Sequence, residues 1–169
     1  MSDDESDEFW RFAIAVYGAP GVSDECLAAQ NENGCDVCML LAAAFSALEG
    51  RLPDASTLAQ WDGVVAAWRS GIVRPLRAVR DTLKPRQEQP TVARLRKSVL
   101  ADELEAERIE LTMLAAARQQ TPAPAAPEMA LEDRLVKSLR QACALYTDAL
   151  VTLPNLVGAV LAYAEQPEG

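Results

Sequence analysis

Apolar residues recur at spacings of three and four along most of the chain, and no stretch sustains a spacing of two. This periodicity predicts amphipathic helices rather than strands. The 169 residues give room for one hydrophobic core of ordinary size. We therefore predict an all-α fold, a single-domain helical bundle of five to seven helices with one long central helix.

Glycine, proline and capping residues predict where these helices begin and end. The predicted spans are about 8–17, 24–31 capped by Ser23, 36–49, a fourth from Pro53 with a break near Gly63, 73–83, 91–118, 128–150 and 154–165. The fifth span contains Pro75, which is tolerated because it falls in the first turn.

The same signals divide the chain into four predicted parts. Residues 1–7 are predicted to be an acidic disordered tail and residues 8–119 a helical domain. Residues 120–128 are rich in alanine and proline, which is typical of a semi-rigid linker. Residues 129–165 are predicted to form C-terminal helices that pack on the same domain or on a partner.

The long helix carries two apolar stripes. The first consists of Val92, Leu95, Val99, Ala106, Ile109 and Met113, and the second of Leu100, Leu104, Leu111 and Leu114. Such a helix either lies between other helices or leaves one face for a partner or a second copy. Central packing is the favoured interpretation, and the exposed face stays open as the alternative.

Composition and charge exclude several classes of function. The chain contains no histidine, which rules out histidine-based triads and metal sites. A net charge of −9 argues against nucleic acid as a partner. The acidic start is unlike a secretory signal and no apolar run is long enough for a membrane span, so we expect a cytoplasmic protein that does not bind membranes.

The four cysteines offer the sharpest candidate chemistry. Cys35 and Cys38 form a C-x-x-C motif at a predicted helix start, where thiol pKa values fall. No βαβ pattern surrounds the motif, so a structural role for Cys38 in the core is favoured over a redox pair. Cys26 and Cys143 are isolated in the sequence, and we therefore predict no metal site and no cofactor.

Charged residues cluster in two places. Glu103, Glu107 and Glu110 share one helix face, which we interpret as solvated and paired locally with Arg96 and Arg108. Asp102 is predicted to point into the first apolar stripe.

Between residues 69 and 97, nine basic residues stand against two acidic ones. Arg74, Arg77 and Arg80 recur there at helical spacing, which is compatible with a groove for phosphate or an acidic partner. We favour the alternative that this arginine-rich helix packs against the glutamate-rich one and pairs with it. Nucleotide-binding and hydrolase motifs are missing from the sequence.

Several strings together resemble a known family. They are Phe9-Trp10-Arg11-Phe12-Ala13, residues 16–22, Cys26-Leu27, Gly34-Cys35-Asp36-Val37, Trp68, residues 73–77 and residues 103–107. They resemble an uncharacterised proteobacterial family of small cytoplasmic helical proteins, a domain of unknown function, with the N-terminal signature W-x-F-A-x-x-x-Y-x-x-P-G-V. The resemblance covers about residues 9–118 and implies no activity.

The same segments suggest a binding pocket. Trp10 and Tyr17 are seven residues apart, so they share a helix face, as do Trp61 and Trp68. If these faces meet beside Arg74 and Arg77, they form an aromatic pocket with a cationic rim for a small anionic ligand. The alternative is that the aromatic residues anchor the core.

The sequence therefore favours a non-enzymatic interaction or regulatory protein with a protein partner or a homodimer. The alternative is a small-ligand-binding or thiol-redox protein that uses Cys35 and Cys38 or the Trp/Arg pocket.

Overall fold

The computed structural model describes residues 3–166, with side chains from residue 6 onward. Its α-helices are α1 (Asp3–Tyr17), α2 (Val22–Asn33), α3 (Val37–Leu48), α4 (Ala55–Trp68), α5 (Arg74–Leu83), α6 (Pro90–Gln120), α7 (Leu131–Cys143) and α8 (Pro154–Ala164). A π-helical turn, Arg69–Val73, joins α4 and α5 into one continuous helical segment. Residues 3–166 therefore form seven helical segments and no strand. The predicted all-α bundle with one long helix is confirmed.

Four predicted boundaries differ from the structure. Helix α1 begins at Asp3, because acidic side chains stabilise a helix N-terminus; residues 1 and 2 of the predicted tail lie outside the described residues. Helix α4 runs through Gly63 unbroken, and Gly21 rather than Ser23 precedes α2. Helix α7 ends at Cys143 instead of 150, and the turn that follows lets the Tyr146 hydroxyl donate to Asp62.

Helix α3 is the centre of the core. Every residue from 38 to 47 in it is buried, because the helix is apolar on all sides. It packs against α1, α6, α7 and α8, and α7 is its most extensive neighbour. The Ser138 hydroxyl of α7 donates to the Ala43 carbonyl at 2.8 Å, which fixes these two helices to each other.

The long helix α6 has different surroundings in its two halves. Its C-terminal half is sandwiched, with Leu111 and Leu114 buried. Its N-terminal half pairs with α5 and leaves Leu95 and Leu104 more than half exposed. Central packing therefore describes the C-terminal half of α6, and an exposed apolar face describes its N-terminal half.

The alanine- and proline-rich segment after α6 is held in place. The Leu52 amide donates to the Pro124 carbonyl, and the Ala126 amide donates to the Gly50 carbonyl, both at 2.9 Å. We call residues 121–130 the strap. It leads α7 back onto α3, and α8 then packs on α1 and α2. Within the described chain, no helix combines the length and the apolar character that crossing a bilayer requires.

Candidate functional site

A cavity of about 510 Å³ opens between α1, α2, α3, α5 and α6. Trp10 and Tyr17 of α1 line its walls. Ile14, Leu27 and Leu104 also line it and are 54%, 39% and 55% exposed, so they form an apolar rim at its mouth. We call this the main cavity. A smaller cavity of about 370 Å³ shares Gln30, Asp36 and Arg77 with it.

The aromatic walls follow from the spacing of α1. Residues 10 and 17 lie two turns apart and therefore face the same side of the helix. The guanidinium of Arg108 lies 4.9 Å from the centre of the Trp10 ring, which is within cation–π range. Burial raises the pKa of Tyr17 to about 12, so its hydroxyl stays neutral and can donate a hydrogen bond.

The floor of the main cavity consists of Asp36, Cys38 and Glu110. Asp36 is the N-cap of α3, and its Oδ1 accepts from the Met39 amide at 2.9 Å. Cys38 lies in the first turn of the same helix, and Glu110 reaches in from the middle of α6. One oxygen of each carboxylate and the Cys38 Sγ lie within 4.8 Å of one another. These three residues could hold a metal ion.

Arg69 holds the floor carboxylates in place. Its Nε lies 2.6 Å from Asp36 Oδ2 and 3.2 Å from Glu110 Oε1, and its Nη1 lies 2.8 Å from Asp62 Oδ1. The Arg69 side chain is only 6% exposed. Because the arginine lies at the start of the π-turn, its position depends on that turn.

Helix α5 and helix α6 pair through their charges, as the favoured interpretation of the sequence predicted. Arg77 donates to Glu103 at 3.1 Å and to Glu107 at 2.9 Å. Arg80 donates to Glu103 at 2.7 Å. The prediction of a solvated glutamate face is wrong, because Glu103 and Glu110 are 2% and 1% exposed. Asp102 is exposed, as are Leu95 and Ile109 of the first apolar stripe toward which it was predicted to point.

Negative charge exceeds positive charge around the floor. At the floor, the three carboxylates of Asp36, Asp62 and Glu110 share the single guanidinium group of Arg69. Burial, and then the charge of Asp36, raises the pKa of Glu110 to about 8. Burial also raises the pKa values of Asp36 and Glu107. The floor therefore favours the entry of positive charge.

A comparison with protein families assigns most of this helical domain. The family described as Protein of unknown function (DUF2390) matches residues 8–114. The chain belongs to this family. No curated protein and no solved structure matches this DUF2390 chain. The matched range contains every lining residue of both cavities and ends within α6.

The predicted site residues of this DUF2390 protein fall in three places. Trp10, Tyr17 and Arg77 line the main cavity together, and Arg77 also lines the smaller one. Arg74 is exposed and lines the smaller cavity. Trp68 lines neither, because its indole Nε1 donates to the Ala106 carbonyl at 2.9 Å and anchors α4 to α6.

The cysteines of the C-x-x-C motif also separate. Cys38 lines the main cavity, whereas Cys35 lines the smaller one, and both are buried free thiols. Burial raises the pKa of Cys38 well above its usual range. A hydrogen bond with Cys143 lowers the pKa of Cys35. The predicted helix start is present, but the pKa of Cys38 moves away from that of a reactive thiol.

Sequence reasoning missed Asp36, Arg69 and Glu110 as members of a site. Glu110 did carry a signal, because it lies between Ile109 and Leu111 in an otherwise apolar part of α6. Asp36 precedes an apolar run, the pattern of an N-cap, and that position fixes where its carboxylate lies. Arg69 lies at the start of the π-turn, and no simple sequence pattern predicts such a turn.

Proposed function

We propose that this protein is a non-enzymatic binding protein whose main cavity takes a small ligand with an apolar or aromatic body. The observation that carries the proposal is an apolar rim that leads into an aromatic-walled cavity of about 510 Å³. Small-molecule sites have this size and character, with a few polar groups at one end that orient the ligand.

The apolar rim supports this proposal through its position. Within residues 6–166, nine large apolar side chains are exposed, and Ile14, Leu27 and Leu104 all border one opening. They come from three different helices, so their proximity is a property of the fold and not of a single amphipathic face. Exposed apolar groups gathered around a concave surface mark binding sites.

The charges of the site favour a ligand without a negative group. Arg77, the cation that suggested an anionic ligand in the sequence, is already paired with Glu103 and Glu107. An anion entering the main cavity would meet the floor carboxylates, and the Arg108 guanidinium, which also lines the cavity, is stacked over the Trp10 ring. A neutral or cationic ligand avoids this repulsion.

The thiol-redox alternative receives less support. Cys35 and Cys38 are 1% and 7% exposed, and they line different cavities. Because burial raises the pKa of Cys38, this residue is a poor attacking thiolate at neutral pH.

The test uses N-phenyl-1-naphthylamine, an uncharged probe that fluoresces in apolar sites. We expect saturable binding of one probe per chain. Leu104→Gln should weaken binding by about tenfold, the effect of losing one apolar rim contact. Leu95→Gln is the matched control, because Leu95 lies on the same helix, is 53% exposed and does not line the main cavity. It should change the Kd by less than about twofold.

Circular dichroism of both variants must match that of the unchanged chain for the comparison to stand. Non-saturable binding, or an equal loss in the two variants, would overturn the proposal.

A further inference from the structure

We propose that Asp36, Cys38 and Glu110 bind a divalent transition-metal ion at the floor of the main cavity. Their nearest ligand atoms, two carboxylate oxygens and one sulfur, all lie within 4.8 Å of one another. The inference goes beyond the proposed function, because an ion of this kind can bind whether or not an apolar ligand enters.

The donor set selects the class of metal. A thiolate with two carboxylates suits Zn²⁺ or Co²⁺, whereas Mg²⁺ and Ca²⁺ prefer oxygen ligands alone. Three protein ligands are the number found where a fourth position is left for water or a ligand. Here that fourth position faces the main cavity, which Asp36, Cys38 and Glu110 all line.

Cys38 differs from a cysteine that only fills the core. This residue is 7% exposed, so its sulfur is largely removed from water. Its Sγ nevertheless lies beside two carboxylates, an unfavourable place for a thiol that packs as a small apolar group. A cation bound by all three residues would explain why this sulfur is buried and why it lies beside two carboxylates.

The charge around the floor supports an ion of charge +2. Three carboxylates, those of Asp36, Asp62 and Glu110, share the single guanidinium group of Arg69. Burying such an excess is costly unless protons or a cation compensate it. A divalent ion would restore the balance without any further side chain.

Two further groups would position the ligands. The Met39 amide donates to Asp36 Oδ1, and Arg69 Nε lies 2.6 Å from Asp36 Oδ2, so both oxygens of this carboxylate are held in place. Arg69 Nε contacts both Asp36 and Glu110 and holds their carboxylates at a common edge. Hydrogen bonds of this kind orient metal-binding carboxylates and are part of most metal sites.

The experiment titrates Co²⁺ into the full chain, reduced and freed of metal by a chelator. We expect one ion per chain and a thiolate-to-cobalt charge-transfer band in the near-ultraviolet. Cys38→Ser should abolish the band, and Glu110→Gln should weaken binding at least tenfold. Zn²⁺ should displace the cobalt and remove the band.

Two matched variants serve as controls. Cys35→Ser removes a thiol three residues away, and Glu105→Gln removes an exposed carboxylate that lines the same cavity. Both should change the Kd for Co²⁺ by less than twofold. A missing band in the unchanged chain, or a band that survives Cys38→Ser, would overturn the proposal. If Cys38→Ser does not fold, the affinity of Glu110→Gln for Co²⁺ tests the proposal in its place.

The two proposals fail separately. The naphthylamine titration is carried out on the metal-free chain. Probe binding without a cobalt band would therefore contradict only the proposed metal site. A cobalt band without probe binding would contradict only the proposed ligand site.

Discussion

Arg69 is the residue on which the buried charges depend. It is 5% exposed and contacts Asp36, Asp62 and Glu110, which lie on three separate segments of the chain. Arg69→Met keeps the length of the side chain but leaves these carboxylates without their cation. We expect the free energy of unfolding, measured in urea, to fall by about 3–5 kcal/mol, the range for breaking a buried pair.

Arg74→Met is the control for this prediction. Arg74 is exposed, and it lies five residues after Arg69 on the same continuous helical segment. We expect a change of less than about 0.5 kcal/mol, as for most exposed positions. Equal effects of the two substitutions would contradict the role given to Arg69.

The thiols give a second prediction at this scale. Thiolate is the reactive form, and burial raises the pKa of Cys26 to about 12. At pH 9 the folded chain should therefore leave Cys26 unmodified by iodoacetamide, whereas guanidinium-unfolded chain should be alkylated at all four cysteines. Mass spectrometry of the peptides reads this out directly.

Cys35 is the informative position in that experiment. A redox pair would show fast alkylation of Cys35 in the folded chain at neutral pH. We expect slow alkylation, because Cys35 is 1% exposed and its thiol is hydrogen-bonded to Cys143. A rapid initial phase at this residue would restore the redox interpretation.

At the level of residues, part of the site could be predicted. Trp10 and Tyr17 follow from helical spacing, because a seven-residue interval places two side chains on one face. The pairing of Arg77 with Glu103 follows from complementary charges on adjacent helices. Glu110 could not be assigned, because helical spacing places it with the other glutamates but does not show which of them a neighbouring helix will cover.

At the level of elements, the π-turn Arg69–Val73 sets how α5 faces α6. Such a turn contains one residue more than an α-helical path. Inserting one alanine after Gly71 would add a residue for which this turn has no place and rotate α5 by about 100° relative to α4. Arg77 and Arg80 would then leave Glu103, and we expect the free energy of unfolding to fall by about 3 kcal/mol or more.

Gly71→Ala is the matched control for the insertion. A Cβ at this position meets nothing within 4 Å, and the backbone there is not left-handed. Because alanine favours helix over glycine, we expect stabilisation of about 0.5–1 kcal/mol. Chemical denaturation of both variants provides the comparison, and an insertion that is as stable as the unchanged chain would contradict the account.

The same turn shows why element boundaries could be predicted only in part. Helix α6 was placed within two residues at each end, because Pro90 starts it and the proline-rich segment ends it. The π-turn was expected to be a break after Gly71, since glycine often ends a helix. In the structure, the contacts of α5 with α6 keep the chain helical through that glycine.

At the level of the whole molecule, the core extends beyond the family match. The match ends at residue 114, yet Leu135, Leu139, Leu156, Val157 and Val160 of α7 and α8 are buried against the rest. Five such side chains contribute roughly 8–15 kcal/mol at 1.5–3 kcal/mol each. That sum is comparable with the whole stability of an ordinary domain.

A fragment that ends at Gln120 should therefore lack a cooperative thermal transition by circular dichroism. A fragment that ends at Glu165 keeps α7 and α8 and should melt like the full chain. A sharp transition in the shorter fragment would show that α1–α6 form an independent unit.

The burial of α3 has a consequence for the order in which the chain is synthesised. Its apolar surface is completed by α7, which begins 83 residues after α3 ends. At roughly 5–20 residues per second, a ribosome needs about 4–17 seconds to cover that interval. During this time the side of α3 that α7 covers stays exposed in the nascent chain. Chaperones that recognise exposed apolar segments have this window in which to bind, and a stall within the strap would prolong it.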